Sequence, residues 1–266
     1  MPVRMLAFDI DDTIYEWPNE VSPGNRRALE LAQGAGIVVC IATARHVASA
    51  EDFMGKAGIR GPLIANSGAT VRLQPGGAIT TRAPMSREAC LPIVEFADAL
   101  DMMLWITLAD GHTYVRDDSP QTDASIALEV HPVKTNVDGL RGDPVRIIAA
   151  GMGGEMMFAR LAERGDGQFS LCRTVRGGQF VGLAITSVDA TKEAALADVS
   201  RDLDIPLADV LAMGDGESDV GMIRLAGIGV APANADPAAR AVADVVGPAC
   251  ADDAVAWVIK EYCGLG

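Results

Sequence analysis

Short unbroken apolar blocks alternate along this chain with stretches that carry helix start and stop signals. Val3 to Ile10 reads as a buried strand, Ser22-Pro23 opens a helix that runs to about Gln33, and Ile37 to Ile41 is a second strand. Proline in the first turn, with Gly34 and Gly36 beyond the last one, fits the usual asymmetry of helix ends. A helix from His46 to Ala57 and a third apolar run from Pro62 to Ala65 continue the pattern, which is that of a parallel sheet covered by helices. Val71 to Leu73 and Ile79 to Thr81, joined through Pro75-Gly76-Gly77, predict a hairpin.

From about Arg82 the rhythm changes. Helices are expected at Ser86–Leu100, Gln121–Val130 and Glu155–Arg164, with strands at Met102–Ala109, His112–Arg116, Val145–Ala150, Phe169–Thr174 and Gln179–Ala184. The earlier alternation then returns. A helix at Thr191–Leu203, a strand at Val210–Met213, a helix at Ser218–Leu225 and a strand at Gly227–Val230 precede a helix at Asp236–Ala241, a strand at Asp244–Val246 and a last helix at Asp252–Tyr262. The fold class expected is α/β: a doubly wound parallel, Rossmann-like core of residues 1–81 and 185–266, interrupted by an α+β insert at 82–184.

Charge narrows the partners. The 266 residues hold 22 Lys and Arg against 36 Asp and Glu, a net charge of -14 that repels nucleic acid and anionic membranes at long range and leaves a small molecule as the expected partner. Five cysteines without CxxC spacing indicate neither a disulfide framework nor a zinc site, and the apolar start is too short for a signal peptide. No apolar run approaches the ~18 residues of a membrane span, so a cytoplasmic location is expected.

In open α/β sheets ligands bind beyond the carboxyl ends of the strands, and there this sequence is acidic. Asp9, Asp11 and Asp12 follow the first strand, Thr43 and Arg45 the second, and Asp215, Glu217 and Asp219 the strand at 210–213, while Lys192 opens the helix beyond the insert. Ionised carboxylates gathered at one edge repel by roughly 4 kcal/mol per pair at 4 Å and an effective dielectric of 20. They call for a hard cation, and an oxygen-only set beside Lys and Thr points to Mg²⁺.

These residues resemble the haloacid dehalogenase superfamily of phosphohydrolases, in its Cof-type branch with a large cap inserted between the second and third motifs. Phe8 to Thr13 is similar to the first motif (DxDxT), Thr43 to the second, Lys192 within Asp189 to Lys192 to the third, and Gly214 to Asp219 to the fourth. The turn Asn66 to Ala69 and the tail Gly227 to Ala235 extend the likeness over both flanks of the insert. The resemblance implies that Asp9 attacks phosphorus to form an aspartyl-phosphate, while Asp11 protonates the leaving group and later deprotonates water. It implies that Thr43, Lys192 and Ser218 hold phosphate oxygens. Mg²⁺ would sit on the Asp9 carboxylate, the Asp11 backbone carbonyl and Asp215, supported by Asp219. Ser218 stands where this branch usually has Asn, keeping a hydroxyl but losing reach and a donor.

The implied activity is a Mg²⁺-dependent phosphatase of small phosphorylated metabolites, sugar phosphates among them, with the insert as a specificity cap. The insert carries ten basic and fourteen acidic residues, so it is not a basic phosphate trap. The rivals are a phosphotransferase of the phosphomannomutase kind and a non-catalytic binder on the same fold, the latter opposed by the joint presence of Asp9, Asp11, Lys192 and Asp215.

Other features get plainer readings. Gly151 to Gly154 lacks GxGxxG spacing and is expected to be a turn, and His46, His112 and His131 are not at ligand spacing. Met102-Met103 and Met152 to Met157 are read as core or interface filling, Glu217 as a helix-start acid and Asp12 as solvent-facing. Arg45, Arg116, Arg173 and Arg176 are candidates for leaving-group contacts, with no spacing rule to choose among them.

Overall fold

The structure, a computed structural model, describes residues 2–16, 20–116, 130–165, 167–176 and 179–266, apart from the side chains of 174–176, 179 and 180. Its contacts divide the chain into two units, residues 1–80 with 191–266, and residues 81–190.

The chain begins with β1 (Met5–Phe8), α1 (Pro23–Gly34), β2 (Val38–Ala42), α2 (Val47–Ala57), β3 (Leu63–Ala65), β4 (Thr70–Arg72) and β5 (Thr80–Thr81). The insert holds α3 (Arg87–Ala99), β6 (Leu104–Leu108), β7 (Thr113–Arg116), β8 (Val130–Val133), α4 (Asn136–Gly139), β9 (Pro144–Ala150), α5 (Gly151–Arg164), β10 (Phe169–Arg176) and β11 (Gln179–Ser187). The first unit resumes with α6 (Lys192–Asp202), β12 (Val210–Met213), α7 (Val220–Leu225), β13 (Ile228–Ala231), α8 (Pro237–Val242), β14 (Val245–Val246) and α9 (Ala254–Cys263).

The sheet of the first unit runs β14, β13, β12, β1, β2, β3, β4, β5, with parallel pairing from β14 to β3 and an antiparallel β4. Every residue of β1 is buried, as a central parallel strand requires. Alternate side chains serve opposite faces: Leu6 and Phe8 pack with α1, α2 and α9, whereas Met5 and Ala7 pack with Ala195, Leu196 and Val199 of α6. Helices on both faces make the sheet doubly wound. The Ser22 hydroxyl accepts from the Asn25 amide at 3.0 Å and starts α1 at the proline. Among the described residues no helix is long and apolar enough to cross a membrane.

The second unit is one sheet, ordered β10, β11, β9, β6, β7, β8, with a separate apolar centre. Leu104, Ile106, Ile147, Leu183 and Ile185 face α3 and α5 there. Their neighbours Trp105, Thr107, Arg146, Ile148 and Thr186 alternate to the other face.

Several differences from expectation belong to this unit. α5 begins at Gly151, so the glycine run expected as a turn is the first turn of a helix. A Cβ on Gly153 would come within 2.9 Å of the Met102 sulfur, so a larger residue there would require the Met102 side chain to shift. The strand expected to end at Ala184 keeps pairing with β10 up to Ser187, and the contact boundary falls at Ala190. Val130, expected at the end of a helix, starts β8; the rest of that helix, Gln121 onward, lies outside the described residues. Met102 and Met157 fill the apolar centre, but Met152 and Met156 are exposed, because positions four apart share the outer face of α5.

Candidate active site

Parallel pairing brings the strand ends together. Phe8 of β1 lies opposite Met213 of β12, and the Asp9 amide donates to the Met213 carbonyl at 3.0 Å, so Asp9 and the loop from Gly214 leave the sheet side by side. On the other flank, the Thr43 amide beyond β2 donates to the Ile64 carbonyl at 2.8 Å. Three adjacent strands thus deliver Asp215, Asp9 and Thr43 to one edge.

Lys192 enters from α6. Thr191 caps that helix by accepting from the Ala194 amide at 3.2 Å, and Gly68, at φ +100, backs against the Thr191 carbonyl with no room for a Cβ. The Lys192 ammonium donates to Asp219 Oδ1 at 2.6 Å and lies 2.9 Å from Asp9 Oδ1. Lys192 is 2% exposed, Asp219 0% and Asp9 8%, so these charges meet almost without water between them. Asp219 closes the short 3-10 turn Glu217–Asp219 by accepting from the Gly216 amide at 2.9 Å, and its side chain occupies the place of a Cβ on Gly214.

Carboxylate oxygens of Asp9, Asp215 and Asp219 lie within 4.8 Å of one another. Burial pushes the Asp9 carboxyl up to about 8; Lys192 opposes the shift, and Asp219 and Asp215 add to it. Asp215 is pushed up to about 7 by burial and by Asp219, against the pull of Thr13 and Lys192. Burial alone would lower Lys192, yet Asp219 and Asp9 hold it above the ordinary lysine range. One ammonium among three carboxylates leaves the cluster short of positive charge, and an all-oxygen donor set suits a metal ion, a hard one above all.

Asp11 points elsewhere. Arg45 grips its carboxylate with two contacts, Nε at 2.9 Å and Nη2 at 2.5 Å, and also donates to the Tyr15 hydroxyl while lying over the Tyr15 and Phe53 rings. The Asp11 carboxylate is outside the three-acid cluster. Thr43 is buried, and its hydroxyl accepts from the Arg45 amide at 3.1 Å. Ser218 is exposed in the turn of Asp219 without a side-chain hydrogen bond to the described residues, and Glu217 and Asp12 are exposed as well.

The sequence left Thr13 without a role, but its hydroxyl donates to Asp215 Oδ1 at 2.9 Å and fixes that carboxylate. Its place at the end of the DxDxT run was the available signal. Of the other arginines, Arg116 pairs with Asp101 at 2.6 Å and Arg173 lies over the Phe158 ring. The histidines of the insert make a local hydrogen bond, since parallel pairing of β7 with β8 brings His112 Nδ1 within 3.0 Å of His131 Nε2.

Residues 6–259 match the family model of the haloacid dehalogenase-like hydrolases. The chain belongs to that family. It is 26% identical over 274 residues to the HMP-PP phosphatase of Serratia proteamaculans, covering 97% of this chain and 95% of that one. With this family and relatives named as phosphatases, the chain is a phosphatase-type enzyme. A haloacid dehalogenase-like hydrolase from Bacteroides thetaiotaomicron superposes with a TM-score of 0.83 at 19% identity over 97% of this chain and 98% of that one. A sugar phosphatase of HAD subclass IIB gives a TM-score of 0.80 at 19% identity, with the same coverage of 97% and 98%. At such identities the structural likeness speaks for the fold.

Proposed function

We propose that the chain is a Mg²⁺-dependent phosphatase of small phosphorylated metabolites, sugar phosphates among them, working through an aspartyl-phosphate. The supporting observation is the division of labour between two acids of one loop: Asp9 is buried against Lys192, while Asp11 is half-exposed and held apart on Arg45. The names of similar proteins, an HMP-PP phosphatase and a sugar phosphatase, agree with this substrate class.

A carboxylate oxygen of Asp9 attacks phosphorus in line; the new Asp9–phosphorus bond forms as the bond to the leaving oxygen breaks. Asp11, released from Arg45 and protonated, gives its proton to that oxygen, then takes one from the water that attacks the phosphoenzyme. Inorganic phosphate departs and Asp9 is restored. Lys192, Thr43 and Ser218 hold non-bridging oxygens, with Lys192 also offsetting the charge that develops on them. Asp9, Asp215, Asp219 and the Asp11 backbone carbonyl would hold Mg²⁺, whose charge supplies further neutralisation of the phosphate. The core residues 1–81 and 185–266 do this chemistry, and the insert 82–184 acts as the cap that selects the organic part of the substrate.

A panel of phosphorylated metabolites, assayed for phosphate release with Mg²⁺ and with chelator, tests the reading. Turnover of one or more sugar or related monoesters that stops with chelator and in Asp9→Asn is expected. Turnover undiminished in Asp9→Asn would overturn it.

A further inference from the structure

Arg146 is a partly buried cation that the proposed chemistry does not use. It sits in β9 beside Ile147, which packs in the apolar centre on the helix-covered side of the insert's sheet, so its own side chain lies on the opposite face. Its Nε is fully buried without a hydrogen-bond partner, and among the described residues no carboxylate pairs with the guanidinium. Among the described residues, the strand positions of this face around Arg146 are Trp105, Thr107, Ile148 and Thr186, none of them an acid. A guanidinium nitrogen shut off from water without an acceptor is destabilising, and a structural arginine normally acquires one.

What surrounds Arg146 is a row of hydroxyls. Thr107 lies opposite it on β6, and Thr113 on β7 shares a 3.0 Å hydrogen bond with Thr107. Two hydroxyls joined by one hydrogen bond use one of their two protons and leave the other free to donate. On the other side, Thr186 of β11 stands next in the row and pairs with Ser170 of β10. A planar guanidinium flanked by hydroxyl donors, with no acid beside it among the described residues, is the donor set that phosphate, sulfate and carboxylate groups bind.

We infer that Arg146, with Thr107 and Thr186 beside it, forms an oxyanion-binding subsite on the insert's sheet. Two observations agree with it. Burial pushes the Arg146 guanidinium down to about 10, with the nearby Cys172 thiol as the opposing influence. Cys172 is itself exposed and sits on the same face, so it reports on whatever approaches Arg146. The oxyanion is either a second anionic group on a substrate of the enzyme, which deepens the phosphatase reading and rests on it, or a free inorganic ion, which does not.

The first arm of the test is independent of activity. Alkylation of Cys172 by anionic iodoacetate and by neutral iodoacetamide is followed by peptide mass spectrometry in the full-length wild type, Arg146→Met and Arg146→Lys. An effect of Arg146 on thiol ionisation changes both rates alike, so their ratio isolates attraction of the anion. The ratio should fall about 5- to 10-fold in Arg146→Met and be largely kept in Arg146→Lys, as expected for a fixed cation close to the approach path. Millimolar sulfate should protect Cys172 from iodoacetate in wild type alone. The melting temperature of Arg146→Met should equal or exceed that of wild type, since a cation without a partner is removed; a clear drop would mark Arg146 as structural and overturn the subsite. An unchanged alkylation ratio with no sulfate protection would overturn it too.

The second arm assigns the source. If the anion belongs to a substrate, Arg146→Met lowers kcat/KM about 10- to 100-fold for phosphate esters bearing a second phosphate or carboxylate and leaves p-nitrophenyl phosphate unchanged. If it is a free ion, sulfate protection is lost in the variant while every substrate is turned over as before. Should no phosphate ester be hydrolysed by wild type, the phosphatase reading fails and the alkylation arm still decides the subsite.

Discussion

Replacing Lys192 by methionine keeps the aliphatic stem and removes the one cation among three buried carboxylates. At 2.6 and 2.9 Å the ammonium is worth about 6 kcal/mol to each of Asp219 and Asp9 at an effective dielectric of 20. Without it, carboxylate oxygens within 4.8 Å of each other repel by at least ~3 kcal/mol per pair. The cluster escapes part of this by taking up protons, so the expected net loss is that of a broken buried pair, ~3–5 kcal/mol. For a chain of this size that lowers the melting temperature by roughly 10 °C. The pH dependence has a definite sign. Asp9 and Asp215 are already raised, to about 8 and about 7, and loss of the cation raises Asp9 further. An acid raised in the folded state contributes its stability fully below its unfolded pKa and loses it as pH climbs through the folded value. The deficit of Lys192→Met should therefore be large at pH 8.5 and shrink at pH 5.5. The assay is thermal unfolding of both proteins in EDTA at the two pH values, with p-nitrophenyl phosphate turnover in Mg²⁺ alongside, where a loss of about 10²- to 10³-fold is expected. A deficit below ~1 kcal/mol at pH 8.5, or one that does not change with pH, would refute the charge coupling.

Asp9→Asn should remove turnover while leaving circular dichroism and cooperative unfolding intact, because a neutral amide relieves crowding among the acids. Asp11→Asn should keep Mg²⁺ affinity by calorimetry but lower single-turnover rates about 10²- to 10⁴-fold on alkyl phosphates, and less on aryl phosphates, whose leaving groups need little protonation. Equal losses on both would count against the acid role. Mg²⁺ must displace protons held by the raised Asp9 and Asp215, so its affinity should climb between pH 6 and pH 8.5 with release of protons. Titration calorimetry in buffers of different ionisation enthalpy measures that release, and a pH-independent affinity would contradict the carboxylate site.

The acids at the strand ends were legible because the sheet that carries them is written in unbroken apolar runs, and the residue after each run has only one place to go. Asp9, Thr43 and Asp215 could thus be read by position alone. Who holds whom could not. Thr13 reaches Asp215 across 202 positions and Arg45 reaches Asp11 across 34, and no periodicity encodes such pairings. Short elements were lost for a different reason: α4 is a single turn, and β8 contains proline and histidine, which weaken the strand signal. In α5 local propensity was outvoted. Glycine disfavours a helix by about 1 kcal/mol, yet Gly153 sits in the first turn, where a Cβ would crowd the Met102 side chain.

The interrupted sheet sets an order of events during synthesis. β1 is a middle strand and leaves the ribosome about two hundred residues before its neighbour β12, which carries residues 210–213. At 5–20 residues per second about 10–40 s pass between them. For that interval one edge of Met5–Phe8, four buried residues in the finished protein, has no partner to pair with, and an open apolar edge is where nascent chains join the wrong neighbour. The insert is contiguous and can condense around its own apolar centre meanwhile. A ribosome that stalls before β12 therefore releases a finished insert tied to half a sheet, and the three acids meet only when the last third of the chain arrives.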